Sequence, residues 1–254
     1  MTHRILILGG TAEARKLAGR LAMRDDLAVT LSLAGRTLEP AAQPVPVRSG
    51  GFGGAEGIAA YLRDQRISLL IDATHPYAAR ISANAARAAA MTGVPMLRLY
   101  REAWRPAKGD RWLTVADAED ATRALGEAPR RVFLALGRQE IAAFQNAPRH
   151  FYLIRSVDPV EPPLAVPDAV YVLGRGPFDE AGELELLKAH RIDAIVCKNS
   201  GGAATYGKLV AARGLGIPVF MFRRPDEPDV PRAGSIEAAL AMLDHLLASA
   251  KRGE

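Results

Sequence analysis

Near the start of the chain, a short apolar run leads into two glycines and then into a segment with helical spacing, a pattern that few folds contain. Residues 5–8 are apolar on both faces, which is typical of a strand buried on both sides in a parallel sheet. Gly9 and Gly10 permit a tight turn and a close approach of the backbone to a ligand. Thr11 is placed to cap a helix over residues 12–23, whose N terminus would attract an anion.

This strand-turn-helix pattern predicts the first turn of a dinucleotide-binding unit. The usual G-x-G-x-x-G spacing is absent, because the chain reads Gly-Gly-Thr-Ala-Glu-Ala over residues 9–14. An ordinary glycine turn between a strand and a helix therefore stays open as the alternative at this point.

The end of the second predicted strand, residues 27–33, bears on the choice of cofactor. A fold of this kind that prefers NAD carries an acid about 20 residues beyond the glycines, where it binds the ribose 2′-hydroxyl. Residues 30–36 contain no acid. Ser32 and Arg36 could hold a 2′-phosphate instead, which favours NADP; alternatively, Arg36 is an ordinary surface residue of a loop.

Two further segments place candidate ligand groups after predicted strands. In residues 47–54, four glycines surround Phe52, and we expect this loop to bring backbone N–H groups against a ligand rather than to be merely flexible. A buried strand over residues 68–71 leads into Asp-Ala-Thr-His-Pro-Tyr at 72–77, with Pro76 expected to begin a helix. His75 could donate a proton or serve a structural role.

The second half repeats the alternation of strands and helices. One strand ends at Gly137, and another leads into Lys-Asn-Ser-Gly-Gly at 198–202, which combines a cation, hydrogen-bonding side chains and exposed amides. We therefore expect an α/β protein with two Rossmann-like domains, mainly parallel sheets and a cleft between them. The predicted domains are residues 1–105, which bind NADP, and residues 106–254. A terminal strand that crosses into the other domain's sheet stays open.

The composition favours an anionic ligand and argues against several other classes of partner. The net charge of +5 comes from residues 1–125, and an excess of arginine suits an anionic ligand. Aromatic residues make up only 6%, and no run mixes them with clustered cations, so nucleic acid is not expected as a partner. No apolar run approaches the roughly 20 residues of a membrane span. The start leads directly into a strand, and a single cysteine excludes an internal disulfide framework, so we expect a cytoplasmic protein.

The five histidines show no metal-ligand spacing, so no metal site is expected. A monomer or weak homo-oligomer is the expected assembly.

Taken together, these blocks resemble the precorrin-6A reductase family of cobalamin (vitamin B12) biosynthesis. Residues 101–190 match that pattern weakly. The matching stretches are Leu-Gly-Gly-Thr-Ala-Glu-Ala at 8–14, Gly-Gly-Phe-Gly at 50–53, Asp-Ala-Thr-His-Pro-Tyr-Ala at 72–78 with Ile81 and Ser82, Lys-Asn-Ser-Gly-Gly at 198–202, Lys-Leu-Val-Ala-Ala-Arg at 208–213, Gly-Ile-Pro-Val at 216–219 and Arg-Pro at 224–225.

The resemblance implies an NADPH-dependent reductase that transfers a hydride to a double bond of the precorrin-6A macrocycle, giving precorrin-6B. Some members of the family act on the cobalt-containing counterpart. Two other classes remain as alternatives, a transferase that uses a nucleotide sugar and a non-enzymatic dinucleotide sensor. Direct binding and turnover of NADPH would separate them.

The resemblance also implies roles for individual residues. Those expected at the cofactor's pyrophosphate are Gly9, Gly10 and Thr11, with Ser32 and Arg36 near the 2′-phosphate. Those expected on the nicotinamide side are Gly51, Phe52, Gly53, Thr74 and His75. Those expected to meet the carboxylates of the tetrapyrrole substrate are Arg138, Arg155, Lys198, Ser200, Gly201 and Arg224. The candidate proton donors are His75, Tyr77 and Lys198.

Overall fold

The computed structural model describes residues 2–35 and 41–250 of the 254-residue chain. Strands and helices alternate, as the sequence pattern predicts. The elements up to residue 99 are β1 (His3–Leu8), α1 (Ala12–Leu21), β2 (Leu27–Leu33), β3 (Val47–Ser49), α2 (Ala55–Asp64), β4 (Leu69–Asp72), α3 (Ala79–Thr92) and β5 (Met96–Leu99). The later elements are β6 (Trp112–Val115), α4 (Ala118–Ala124), β7 (Arg131–Ala135), α5 (Arg138–Ile141) with a 3₁₀ turn (Ala142–Asn146), β8 (Phe151–Ser156), β9 (Ala169–Leu173), α6 (Glu180–Ala189), β10 (Ala194–Lys198), α7 (Gly207–Leu215), β11 (Val219–Phe222), β12 (Arg232–Ala233) and α8 (Ile236–Ala250).

Within the described residues, the strands form two six-stranded sheets in which paired neighbours run parallel. The orders are β12-β5-β4-β1-β2-β3 and β6-β11-β10-β7-β8-β9. In the first sheet the chain starts at the central strand β1, extends to β3 on one side and then continues from β4 on the other. The second sheet repeats this order from β7 to β9 and from β10 to β11, while β6, which precedes them in the chain, lies at the edge beside β11. This is the strand order of a Rossmann sheet. The predicted α/β class with two Rossmann-like, mainly parallel sheets is confirmed.

Helices cover both faces of the first sheet, as the burial of strand β1 shows. Ile5 and Ile7 are fully buried in a cluster with α1 and α8, whereas Leu6 and Leu8 are buried in a cluster with α2 and α3. Burial of each such side chain stabilises the fold by about 1.5–3 kcal/mol. An apolar run without alternation is therefore what a strand at this position requires.

The two compact units differ from the predicted domains. The first unit combines the described residues up to Arg101 with those from Pro225 onward, and the second is Glu102–Arg224. β12 pairs with the edge of β5, and α8 buries Leu243 in the same cluster as β1. The predicted assignment of all of 106–254 to one second domain is therefore wrong from residue 225 onward. The chain contains the strand crossing that the sequence left open.

Three short strands and one helix start also differ from expectation. β3, β6 and β12 are edge strands of two to four residues, too short to carry a clear hydrophobic pattern. Helix α3 begins at Ala79 rather than at Pro76. The reason is a separate turn before it, in which Ala78 N–H donates to the carbonyl of His75 at 2.8 Å.

Candidate active site

The first sheet reverses its order between β1 and β4, and the segments that follow these strands are bonded to each other. The hydroxyl of Thr11 donates to the carbonyl oxygen of Ala73 at 2.8 Å. The Thr11 hydroxyl oxygen itself accepts from Ala14 N–H at 3.1 Å, which confirms the predicted cap of α1. Ligands of open α/β sheets bind at the carboxyl ends of the strands, where the order reverses.

Gly9 and Gly10 are needed here for different reasons. A Cβ on Gly9 would lie 2.6 Å from Cδ1 of Leu31, so only glycine lets the chain turn this closely past β2. Gly10 has a φ of +107°, and a Cβ there would meet nothing within 4 Å. Open space beside bare backbone at the N terminus of α1 fits the diphosphate of a dinucleotide.

The end of β2 carries Ser32, which is buried. Its carbonyl oxygen accepts from Gly9 N–H at 2.9 Å, so Ser32 lies beside the glycine turn. Its hydroxyl accepts from Nη1 of Arg48 at 3.2 Å. Arg48 is not among the residues predicted from the sequence, although its position just before a glycine-rich loop was a usable signal. Arg36, predicted to act with Ser32, lies outside the described residues.

Arg48 also organises the glycine-rich loop at the carboxyl end of β3. Its guanidinium donates to the carbonyl oxygens of Gly50 and Gly51, both at 2.6 Å. Its Cζ lies 3.6 Å from the centroid of the Phe52 ring. Gly53 has a φ of +82°, a backbone conformation that favours glycine. The loop is therefore ordered by one cation that also contacts the end of β2.

Asp72, the last residue of β4, is a buried carboxylate that holds the next loop. Its Oδ1 accepts from the N–H and the hydroxyl of Thr74, at 3.0 and 2.6 Å. Nη1 of Arg98 lies 3.6 Å from Oδ2 of Asp72, and Nη2 of Arg98 lies 3.5 Å from Oε1 of Glu227. Glu227 belongs to the segment that returns from the second unit. Arg98 therefore connects the buried carboxylate of Asp72, below the Thr74 loop, to that returning segment.

His75 and Tyr77, the predicted proton donors of the first unit, lie between β4 and α3. Tyr77 N–H donates to Nδ1 of His75 at 3.2 Å, and the two ring centroids are 5.7 Å apart. Because Nδ1 accepts this bond, a neutral imidazole carries its proton on Nε2. Both side chains are half-buried. His75 is thus arranged as a hydrogen-bond donor through Nε2.

The second sheet reverses between β7 and β10, and this edge carries charge. Nζ of Lys198, at the end of β10, donates to Oε1 of Glu140 at 2.5 Å. A Cβ on Gly137 would lie 2.8 Å from Oε2 of Glu140, so the glycine makes room for this ion pair. Arg138 is exposed at the start of α5. Glu140 is a second site residue not predicted from the sequence; its only signal was a position three residues after the glycine.

Asn199 fastens the loop that follows β10. Its Oδ1 accepts from Trp104 N–H at 2.8 Å, and its Nδ2 donates to the Trp104 carbonyl at 2.9 Å. Its own carbonyl oxygen accepts from Nε of Arg224 at 2.8 Å. Trp104 lies just after the chain enters the second unit, and Arg224 is the last residue before it leaves. One asparagine therefore holds both connecting segments.

The same loop contains the predicted residues Ser200 and Gly201. Ser200 N–H donates to the Lys198 carbonyl at 2.9 Å, and Gly201 is buried with a φ of +68°. At its far end, Nζ of the buried Lys208 donates to the carbonyl of Thr205 at 2.5 Å. Burial lowers the pKa of Lys208. Backbone bonds and a buried amine thus give the loop a defined shape.

Arg155 differs from the other predicted substrate-binding residues, because it is buried and committed to a partner. Its guanidinium forms a two-point ion pair with the buried carboxylate of Glu183 and stacks 3.6 Å from the centroid of the Phe178 ring. This arrangement argues against the predicted contact between Arg155 and a substrate carboxylate. The sequence showed an arginine in a strand but not its distant partner.

The described residues contain neither a metal-ligand cluster nor a membrane-spanning helix. Across 2–35 and 41–250, no group of three or more His, Cys, Asp and Glu side chains could hold a metal ion. No helix in that same part of the chain has both the length and the hydropathy of a membrane span.

Two parallel sheets of Rossmann strand order, the first with an open glycine turn at its reversal, define the class as a two-unit α/β protein. The family model described as precorrin-6x reductase CbiJ/CobK matches residues 4–244. The chain therefore belongs to the precorrin-6x reductase CbiJ/CobK family.

Individual relatives agree with this membership. The chain is 57% identical to a precorrin-6A reductase of Sinorhizobium sp, over 97% of this chain and 95% of the relative. It is 49% identical to a precorrin-6A reductase of Rhodobacter capsulatus, over 95% and 96%. The solved structure of the CobK precorrin-6A reductase superposes with a TM-score of 0.92 at 48% identity, covering 97% of each chain.

Proposed function

We propose that this chain is a precorrin-6A reductase, an enzyme that transfers a hydride from NADPH to a carbon–carbon double bond of the precorrin-6A macrocycle and gives precorrin-6B in cobalamin biosynthesis. Relatives that carry this name match nearly the whole chain. The structural observation that carries the proposal is the open backbone at Gly10, beside the reversal of the first sheet.

The cofactor half of the site is assigned to the first unit. When bound, NADPH supplies the hydride, and the protein supplies placement and electrostatics. Gly9, Gly10 and Thr11 would hold the diphosphate through backbone N–H groups at the start of α1. Ser32, whose carbonyl oxygen accepts from Gly9 N–H, would contact the adenosine ribose of a dinucleotide bound as in other Rossmann folds.

The nicotinamide side is assigned to the loop that follows β4, with Thr74 and His75, which Asp72 orders. The resemblance also implies Gly51, Phe52 and Gly53 on that side, but their loop follows β3, which lies beyond β2 in the sheet, and Arg48 links it to Ser32. This loop is therefore assigned to the adenosine half of the cofactor. Loops held in this way lose little freedom when a ligand binds, which favours a defined hydride geometry.

The tetrapyrrole half is assigned to the second unit. Precorrin-6A is a polycarboxylate, and cations with amide donors suit such a ligand. The proposed contacts are Arg138, Lys198, Ser200, Gly201 and Arg224. Arg155 is left out because Glu183 already neutralises it inside the unit. Lys198 would exchange its bond to Glu140 for a substrate carboxylate.

Reduction of a double bond adds a hydride to one carbon and a proton to the other. The proposed proton donors are Nε2 of His75, the hydroxyl of Tyr77 and Nζ of Lys198. His75 has the best local support, because Nδ1 accepts Tyr77 N–H and leaves the proton on Nε2. The expectations of no nucleic-acid partner and of a monomer or weak homo-oligomer stay predictions.

The test is to follow NADPH absorbance with purified protein and anaerobically prepared precorrin-6A, then to repeat the assay with NADH and with cobalt-precorrin-6A. We expect oxidation of one NADPH per macrocycle and slower turnover with NADH. If only cobalt-precorrin-6A is reduced, the substrate is the cobalt-containing macrocycle and not precorrin-6A. NADPH binding without oxidation would favour a sensor, and binding of a nucleotide sugar without NADPH would favour a transferase.

A further inference from the structure

We propose that Arg48, together with Ser32, binds the 2′-phosphate of the cofactor and selects NADPH over NADH. The inference rests on the proposed function, because it requires a dinucleotide in the first unit. It moves the specificity-determining cation from the predicted Arg36, which lies outside the described residues, to the middle of β3.

Placement is the first support. Ser32 and Arg48 are direct neighbours in the register of β2 and β3. Ser32 is bonded through its carbonyl to Gly9 N–H, at the start of the glycine turn. A Rossmann fold places the adenosine ribose between that turn and the end of the second strand. The hydroxyl of Ser32 and the guanidinium of Arg48 therefore lie at the position where a 2′-substituent is recognised.

Chemistry is the second support. The end of β2 offers no carboxylate to accept hydrogen bonds from a 2′-hydroxyl, and none that would repel a phosphate. Arg48 supplies a permanent positive charge, and Ser32 can accept from Arg48 while it donates its own proton to a phosphate oxygen. This pair suits a phosphate dianion better than it suits a neutral ribose.

Rigidity is the third support. Arg48 donates to Ser32, Gly50 and Gly51, and one face of its guanidinium packs on Phe52. These contacts use three of the five N–H donors of the Arg48 guanidinium and fix the orientation of its plane. The remaining two N–H groups therefore point in fixed directions within that plane. A cation fixed before the ligand arrives loses little side-chain entropy on binding.

The experiment compares dissociation constants for NADPH and NADH, measured by calorimetry on the full chain. The variants are Arg48→Ala, Arg48→Lys and Ser32→Ala, with Arg63→Ala as the control because Arg63 is an exposed arginine of α2 and its removal changes the net charge equally. Arg48→Ala should weaken NADPH by about 10- to 100-fold and NADH by less than about 2-fold. Arg48→Lys should restore part of the loss, and Arg63→Ala should change neither constant.

Equal loss of NADPH and NADH affinity would overturn the inference, since it would mean that Arg48 only shapes the glycine loop. Selective loss in Arg36→Ala but not in Arg48→Ala would overturn it as well. If Arg48→Ala does not fold, Ser32→Ala decides, with a selective loss of NADPH affinity expected and an equal loss contradicting the inference. A wild-type chain that binds neither nucleotide refutes the proposed function itself; wild-type preference for NADPH that survives in Arg48→Ala refutes this inference alone.

Discussion

The carboxyl edges of the two sheets have matching reversals of strand order but differ in chemistry. At the β1/β4 edge, the turn after the central strand is open at Gly10, and the Thr11 hydroxyl is bonded to backbone groups. At the β7/β10 edge, the corresponding turn at Gly137 lies against the carboxylate of Glu140, which pairs with Lys198. The turn after the central strand is thus open backbone in the first unit and carries an ion pair in the second.

Strand order therefore locates a ligand site without specifying its ligand. A dinucleotide diphosphate is bound by backbone at a helix N terminus, so glycine is the residue that matters there. A polycarboxylate ring presents many separate anions and needs cations at separate positions. The first three predictions below test whether the two edges bind different ligands, in order of decreasing effect, and the fourth concerns the stability of the second unit.

Gly10→Ala should weaken NADPH binding by about 100-fold, because its Cβ would occupy the open space assigned to the diphosphate. Calorimetric titration with NADPH measures this. Gly93→Ala is the matched control: Gly93 also has a positive φ and an open Cβ position, but it ends α3, away from the carboxyl edge. Equal effects from the two variants would mean that backbone strain, not ligand contact, explains the loss.

Lys198→Ala should raise KM for precorrin-6A by about 10-fold or more, because one charge-assisted contact is lost, while the dissociation constant of NADPH stays unchanged. Steady-state kinetics and nucleotide titration together separate the two. Lys188→Ala serves as the control, since Lys188 is exposed in the last turn of α6. Weakened NADPH binding in Lys198→Ala would break the proposed division between the units.

Asn199→Asp keeps the acceptor for Trp104 N–H but loses the donor to the Trp104 carbonyl. We expect a loss of about 1–3 kcal/mol in the stability of the loop and a several-fold higher KM for precorrin-6A, with NADPH binding unaffected. Asn146→Asp, at an exposed position of the second unit, is the control. A variant with wild-type KM would show that substrate binding does not depend on the paired hydrogen bonds between Asn199 and Trp104.

His150 provides the smallest expected effect and concerns the second unit alone. Burial, followed by the nearby Arg149 and Arg130, lowers the pKa of His150 below its ordinary value of 6.5, and its Nδ1 accepts Arg130 N–H at 3.1 Å. The unfolded chain therefore takes up the proton first as the pH falls below about 6.5. Stability that is present above that pH should be lost on further acidification.

The measurement is the free energy of unfolding by urea between pH 7.5 and pH 5, values chosen to bracket that range. His150→Asn removes the titrating group, so the stability of the variant should fall less than that of the wild type over the same interval. Parallel curves for the variant and the wild type would contradict the account of His150.

Local features of the site could be predicted from the sequence, and distant partners could not. The turn from β1 into α1 was predictable because the buried strand, Gly9, Gly10 and the Thr11 cap are adjacent in the chain. The pairing of Arg155 with Glu183 was not, because neither residue signals the other across the intervening segments. The link between Asn199 and Trp104 has the same character, since it joins residues 95 positions apart.

The predicted domain boundary differs from the observed one for a related reason. The sequence shows an ordinary amphipathic helix over residues 236–247, and nothing local says which sheet it covers. In the structure, Ala239, Leu243 and Leu247 are buried with β1 and α1. β12, which has two residues, pairs with β5 rather than with a strand of the preceding unit. Long-range packing, not local pattern, decides where the last segment belongs.

A crystal structure of the chain with NADP⁺ bound would show directly which unit holds the cofactor. We expect the diphosphate against Gly9, Gly10 and Thr11 at the β1/β4 edge, with the adenosine near Ser32. A diphosphate bound instead beside Lys198 at the β7/β10 edge would contradict this expectation.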